Sequence, residues 1–322
     1  MRKCACGCQT ITKGGEFAPG HDAKHRSELL RKWREEQNHL ALTELRDRDW
    51  LEEMDLNRTF GVEIECLVDP EGGSTSEAAA RRKLAEALNA EGIEAEVGHS
   101  HTATASKNAW LVTRDGSIHR NDLNARYQPL EIVSPILKGT DGLKQLQEVL
   151  LVLNEQFNAK VNKSTGLHVH HGASNLKVKD LRELVKLYYD NEPHINQMVP
   201  ESRHDGYYCR SLNGSQWSNF NHSGIQNSYT FNTLLRKVDK RYYSLNLRAY
   251  LAHETVEFRQ HAGSTDFEKI KHWVIFGQKL IQLARRGSNS PFATLFDEVE
   301  LTKDQKTWWE QRIDWLQNLR IA

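Results

Sequence analysis

Apolar and polar positions alternate with period two in several short runs of this chain. They recur near period 3.6 in several longer ones. The runs read as strands are TFGVEIECLV (59–68), IEAEVG (93–98), AWLVTRDGSI (109–118, running into a turn at Asp115-Gly116), QPLEIVSPIL (128–137, ended near Pro135), GLHVHHG (166–172), YYSLNLRAY (242–250) and ETVEFRQHAG (254–263). EAAARRKLAEALNAEG reads as a helix stopped at Gly92. Helical spacing also covers 141–159 (Leu143, Leu146, Val149, Leu150, Leu153), 177–198 (Leu181, Leu184, Val185, Tyr188), 267–286 and 303–320 (Trp309, Ile313, Leu316). Residues 26–55 place Leu29, Leu30, Trp33, Leu40, Leu42 and Leu45 among dense charges, which suggests a further helix. The Asn-, Ser- and Gly-rich stretch 199–225 reads as a long loop.

Strands that keep a polar residue at every other position have one polar face. The pattern therefore predicts an α+β fold: an antiparallel sheet with a solvated, functional side and helices packed on the other face. A doubly wound parallel sheet needs more continuously apolar strands. No solenoid repeat, P-loop or GxGxxG is present.

Composition narrows the class. The chain has 322 residues, of which 27% are charged, with 43 Lys+Arg against 43 Asp+Glu, so net charge makes no case for bulk nucleic-acid binding. No apolar run reaches membrane-span length, and MRKCACGC lacks the apolar core of a secretory signal. Five cysteines, three of them within residues 4–8, suit metal ligation better than a disulfide framework, and the expectation is a reduced, cytoplasmic protein.

That cluster defines a small N-terminal Cys/His module over residues 1–25, followed by a helical linker (26–57) and one large domain (58–322). Cys4, Cys6 and Cys8 with His21 make the simplest tetrahedral Zn²⁺ set, and His25 sits where a helix begins. The C-x-C-x-C spacing is tighter than a common zinc knuckle, and a basic tail with unligated thiols is the plain alternative. If zinc binds, its role is structural, and the module can dock a protein or nucleic-acid partner.

Four strands carry chemistry. Glu63 and Glu65 share a strand face about 6–7 Å apart, where two carboxylates suit Mg²⁺ or Mn²⁺ between them. Taken alone, an E-x-E is more often a solvated face. His168 and His170 likewise point together, with His171 on the opposite, structural face; an ordinary polar edge strand is the competing reading. Glu257 and Arg259 share a face, as an ion pair does. Glu131 is a lone carboxylate in an apolar strand and must be paired or ligated if buried.

FGVEIEC, WLVTRDGSI, LEIVSPIL, GLHVHHG and TVEFRQHAGS occur in the order found in the amidoligase family, carboxylate–amine ligases of the glutamine synthetase and glutamate–cysteine ligase type, which this chain resembles over about residues 58–285. The resemblance implies a glutamine-synthetase-like sheet and ATP-dependent amide formation through an acyl phosphate. It points to Glu63, Glu65, Glu131, His168 and Glu257 as Mg²⁺ ligands, to His170 and Arg241 as nucleotide or phosphate contacts, and to Arg259 as the transition-state arginine. It sets Asp115 near the acid or amine, and Arg203 and Tyr208 in the substrate region. The implied substrates are small-molecule or peptide carboxylates and amines. Two other readings stay open at this level: a non-enzymatic binding protein delivered by the zinc module, and a metal-dependent hydrolase, for which no H-E-x-x-H string exists.

Overall fold

The structure is a computed structural model that describes residues 2–3, 11–12, 58–70, 76–98, 108–121, 123–217, 219–287 and 298–321. Two residue pairs near the start, β1 (Arg2–Lys3) and β2 (Ile11–Thr12), are antiparallel. Then come β3 (Phe60–Val68), α1 (Glu77–Ala90), β4 (Ala95–Val97), β5 (Trp110–Thr113), β6 (Gln128–Val133), α2 (Gly139–Phe157) and β7 (Gly166–Gly172). The remainder is α3 (Val178–Ile195), the short helices α4 (His222–Gln226) and α5 (Phe231–Leu235), β8 (Leu245–Asn246), α6 (Ala249–His253), β9 (Thr255–Ala262), α7 (Phe267–Arg286) and α8 (Lys303–Ile321). Cys4, Cys6, Cys8 and His21, and the helix expected over 26–55, lie outside the described residues.

Strands β3 to β9 belong to one sheet, in the order β4-β5-β6-β3-β7-β9-β8. It is mixed rather than antiparallel, because β4 pairs in parallel with β5 (Ala95 opposite Trp110). A parallel pair needs a connection of roughly a dozen residues, and residues 98–109 supply it. The pairs β5–β6, β7–β9 and β8–β9 are antiparallel as expected.

The chain divides into two compact units. One takes Ile64–Thr165 and Gly263–Lys271; the other takes Arg58–Glu63, Gly166–Ala262 and His272–Ala322. In the first, Ser76 caps α1 by accepting from Ala79 N at 3.3 Å, and Gly92, at φ +79°, ends it as the sequence suggests. α1 buries Ala80, Leu84, Ala85 and Leu88, and packs on β4, β5 and β6. The stripe Leu143, Leu146, Val149, Leu150 and Leu153 of α2 is buried in full, and Asn158 in the left-handed region closes that helix. β6 alternates: Gln128, Leu130 and Ile132 are buried, and Glu131 points the other way.

In the second unit, α3 buries Leu181, Leu184, Val185, Leu187 and Tyr188. α7 and α8 contribute Trp273, Phe276, Trp309 and Leu316 to its core. The run YYSLNLRAY yields only two strand residues before turning into α6. The Asn246 side chain accepts from Arg248 N at 2.8 Å, a local bond that competes with the ladder and turns the chain. The 199–225 stretch is pinned by two carboxylates. Glu192 accepts from Ser211 Oγ (2.6 Å), Leu212 N (3.0 Å), Asn213 N (2.7 Å) and Ser244 Oγ (2.8 Å), and Asp205 accepts from Ser211 N, Ser215 Oγ and Gln216 N. Among the described residues, no helix is long and apolar enough to cross a membrane.

Candidate active site

Within the second unit, four strands place polar side chains in one row. β9 lies between β7 and β8, with Glu257 opposite His170 on one side and opposite Asn246 on the other. Directly opposed residues of antiparallel strands project to the same face, so Asn246, Glu257 and His170 line up. Glu63 at the start of β3 completes the row: its Oε1 lies 3.2 Å from His170 Nε2, and its Oε2 lies 2.9 Å from His168 Nδ1. His168 follows the i, i+2 rule onto the same face.

Glu257 is buried and held from both flanks. Asn246 Nδ2 donates to Oε2 at 2.6 Å, and Arg259 Nη1 donates to Oε1. His168 Nδ1 lies 3.6 Å from the same Oε1, and Arg259 Nη1 lies 3.4 Å from that nitrogen. His170 is fixed at its other nitrogen by Thr255 Oγ1 at 2.9 Å.

The electrostatics follow from this crowding. Burial alone pushes the Glu63 carboxyl up, but hydrogen bonds to His168 and His170 outweigh it and hold the group well below the usual carboxylate range. Burial likewise opposes ionisation of Glu257, and the charges of Arg259 and His170 prevail and lower it. For His170, burial favours the neutral ring, whereas Glu257 and Glu63 raise its affinity for a proton. His171 is the contrast. It projects into the core against Phe258, and burial, then the Arg58 and His170 charges, push it down to about 3. Its Nε2 sits where a Cβ on Gly277 of α7 would come within 2.4 Å, so the ring packs directly on that helix.

Glu63, His168 and Glu257 each offer a ligand atom, and all three atoms lie within 4.8 Å of one another. Opposite ligands of a cation with bonds of about 2.1 Å stand roughly 4.2 Å apart, so the spacing suits one ion. Two carboxylates offer hard oxygen donors and an imidazole a borderline nitrogen donor, a set that divalent cations accept. His168 Nδ1 faces two carboxylates, an arrangement that a cation between them makes favourable. The donor set therefore fits a divalent cation.

The other predicted residues fall in distinct places. Glu65 and Glu131, both in the first unit, bring carboxylate oxygens within 4.8 Å of each other. Asp115, also in the first unit, accepts from Ser117 N and Ser117 Oγ at 2.6 Å each and so closes its own turn. Tyr208 exposes its ring, while its carbonyl accepts from Arg259 Nε at 3.4 Å. Arg241 is exposed, its guanidinium 5.1 Å from the centre of the Tyr242 ring. Arg203 is buried and donates to the backbone of β9. Sequence reasoning missed Asn246 and Thr255. Both carried a signal: Thr255, Glu257 and Arg259 form a run at i, i+2, i+4, and Ser244 and Asn246 alternate in the same way.

A family model described as "Putative amidoligase enzyme" matches residues 56–281, which take in every residue of this row. The chain belongs to the amidoligase family. It is therefore placed among enzymes that form amide bonds. The solved structures similar to this amidoligase include a novel glutamine synthase homolog at 13% identity, covering 92% of this chain and 71% of that one with a TM-score of 0.42. A bifunctional glutathione synthetase from Pasteurella multocida matches at 12% identity, covering 83% of this chain and 45% of that one, with a TM-score of 0.34. No curated protein matches the sequence.

Proposed function

We propose that this amidoligase activates a substrate carboxylate with ATP as an acyl phosphate, which an amine then attacks to give the amide. The substrates are a small-molecule or peptide acid and an amine. The observation that carries the reading is the convergence of Glu63, His168 and Glu257, with the Arg259 guanidinium hydrogen-bonded to Glu257.

In this reading Glu63, His168 and Glu257 hold a divalent cation, Mg²⁺ or Mn²⁺, and Glu65 with Glu131 is a further carboxylate pair suited to one. A bound cation offsets the charge of the phosphates and of the transferring group. Arg259 faces the transferring phosphoryl group and stabilises its equatorial oxygens as charge shifts. Glu257 and Asn246 keep that guanidinium and the cation ligands in register. His170, held at Nδ1 by Thr255 and at Nε2 by Glu63, sets its ring beside the phosphates. Its raised proton affinity favours the charged ring beside an anion. Arg241 is a second phosphate contact, and Tyr208 lies toward the acid or amine. The bond changes balance without a protein nucleophile. The carboxylate oxygen attacks the γ-phosphorus and ADP leaves; the amine attacks the acyl carbon, phosphate leaves, and the amine proton passes to solvent or to a nearby base.

The test is release of ADP and phosphate with Mg²⁺-ATP, screened over amino acids, peptides and polyamines as acid and amine. Release that requires both an acid and an amine, and that disappears in Glu63→Gln, supports the reading. Metal-dependent hydrolysis of an amide or ester without ATP contradicts it.

A further inference from the structure

We propose that Arg203 is a positioning residue for Arg259, acting through the backbone of β9; the inference rests on the ligase reading above. The ladder between β7 and β9 is irregular at one point. Leu167 pairs with His261 and Val169 with Phe258, so Arg259 and Gln260 together stand opposite His168 alone. Two residues against one is a β-bulge, and at a bulge the ladder's hydrogen bonds are broken.

Arg203 supplies donors at that break. Its Nη2 donates to Arg259 O at 2.6 Å and its Nε to Gln260 O at 3.2 Å. A guanidinium is suited to this, because its planar fork meets two adjacent acceptors at once. Arg259 N in turn donates to Ser244 O at 2.8 Å. The Arg259 backbone is thus held at both its N–H and its C=O. Gln260 is held as well: its side chain accepts from Tyr188 at 2.6 Å and donates to Asn196.

Arg203 is itself fixed. It ends a 3₁₀ turn (Glu201–Arg203), its N–H donates to Pro200 O at 2.9 Å, and the buried Cys209 Sγ lies 3.7 Å from its carbonyl. At 8% exposure, with Nε and Nη2 committed to main-chain carbonyls, its side chain is spent on the strand. The consequence concerns the direction of Arg259. A one-residue slip of a strand sends each side chain to the opposite face. A bulge is where such a slip begins, and Arg203 locks the bulge so that the Arg259 guanidinium stays beside Glu257 and His168.

The experiment compares Arg203→Lys with the wild-type full chain, using Mg²⁺-ATP with the acid–amine pair from the screen. Lysine keeps the charge but loses the fork. The expected result is a fall in kcat of about 10²-fold, as for a misplaced catalytic group, with KM for ATP and acid unchanged, and partial recovery of kcat in Arg203→Ala on adding methylguanidinium. Faster amide exchange over 258–262 is expected in Arg203→Lys at an unchanged melting temperature. A raised KM for the acid at unchanged kcat would make Arg203 a substrate contact and overturn the inference, as would wild-type exchange over 258–262. If wild-type protein turns over no acid–amine pair, the ligase reading fails, and the exchange result alone decides the Arg203–bulge contact.

Discussion

Glu257 stands directly across the β7–β9 ladder from His170, and both side chains project to the face that also carries Glu63. That register makes a buried carboxylate, an imidazole and a second carboxylate neighbours although they lie far apart in the chain. It also sets the consequences of changing each of them.

Asn246 holds Glu257 Oε2 from the edge strand. Partners of this outer kind orient ligands, and their loss weakens metal affinity by about 10–100-fold. Asn246→Ala is expected to weaken Mn²⁺ binding in that range while the protein stays folded. Calorimetric titration with Mn²⁺ checks it; unchanged affinity removes Asn246 from the ligand scaffold.

Arg259→Ala removes charge stabilisation from the transferring phosphoryl group. ADP release at saturating ATP should fall by about 10³-fold or more, with ATP affinity little changed. Steady-state turnover paired with equilibrium nucleotide binding separates the two effects. Near-normal turnover would exclude this arginine from the chemistry.

Glu192 is buried, and burial raises its carboxyl above the usual range despite the hydrogen bonds from Ser211, Asn213, Leu212 and Ser244. A raised acid gives stability that is fully present below its unfolded value of about 4.3 and is lost as pH rises through its folded value. The stability of wild type relative to Glu192→Gln should therefore decline from pH 4 upward and then level off. Chemical denaturation of both proteins across pH 4–8 measures this; a pH-independent difference refutes the assignment.

Gly277 faces His171 with no room for a side chain, since a Cβ would meet Nε2 at 2.4 Å. Gly277→Ala should destabilise by about 1–3 kcal/mol through overpacking, although alanine is the better helix former. Thermal unfolding tests it, and a stabilised variant would show that the ring can move aside.

The sequence made the row's main members legible because period two converts directly into a shared face. His168 with His170, and Glu257 with Arg259, share a face by i, i+2 spacing, and His171 falls on the opposite one; the neighbour that Glu63 finds in the row comes from pairing across strands, whereas its own i+2 partner is Glu65. The helices 141–159 and 267–286 were legible for the same kind of reason, their apolar stripes being long. What pattern could not supply was register. Nothing local says that β9 bulges at Arg259 and Gln260, or that Asn246 of a two-residue strand falls beside Glu257. The parallel β4–β5 pair escaped for a related reason: a strand's own alternation is silent on which neighbour it pairs with and in which direction. Arg203 sits in a polar stretch that reads as loop, and its hydrogen bonds to β9 depend wholly on tertiary structure.

The account stands on Glu63, His168 and Glu257 holding one divalent cation. Pulsed electron paramagnetic resonance of Mn²⁺ bound to the full chain tests this most directly. A nitrogen coupling from a ligating imidazole is predicted, lost in His168→Ala and kept in His171→Ala. A bound Mn²⁺ with no nitrogen coupling, or one whose coupling survives His168→Ala, would contradict the account.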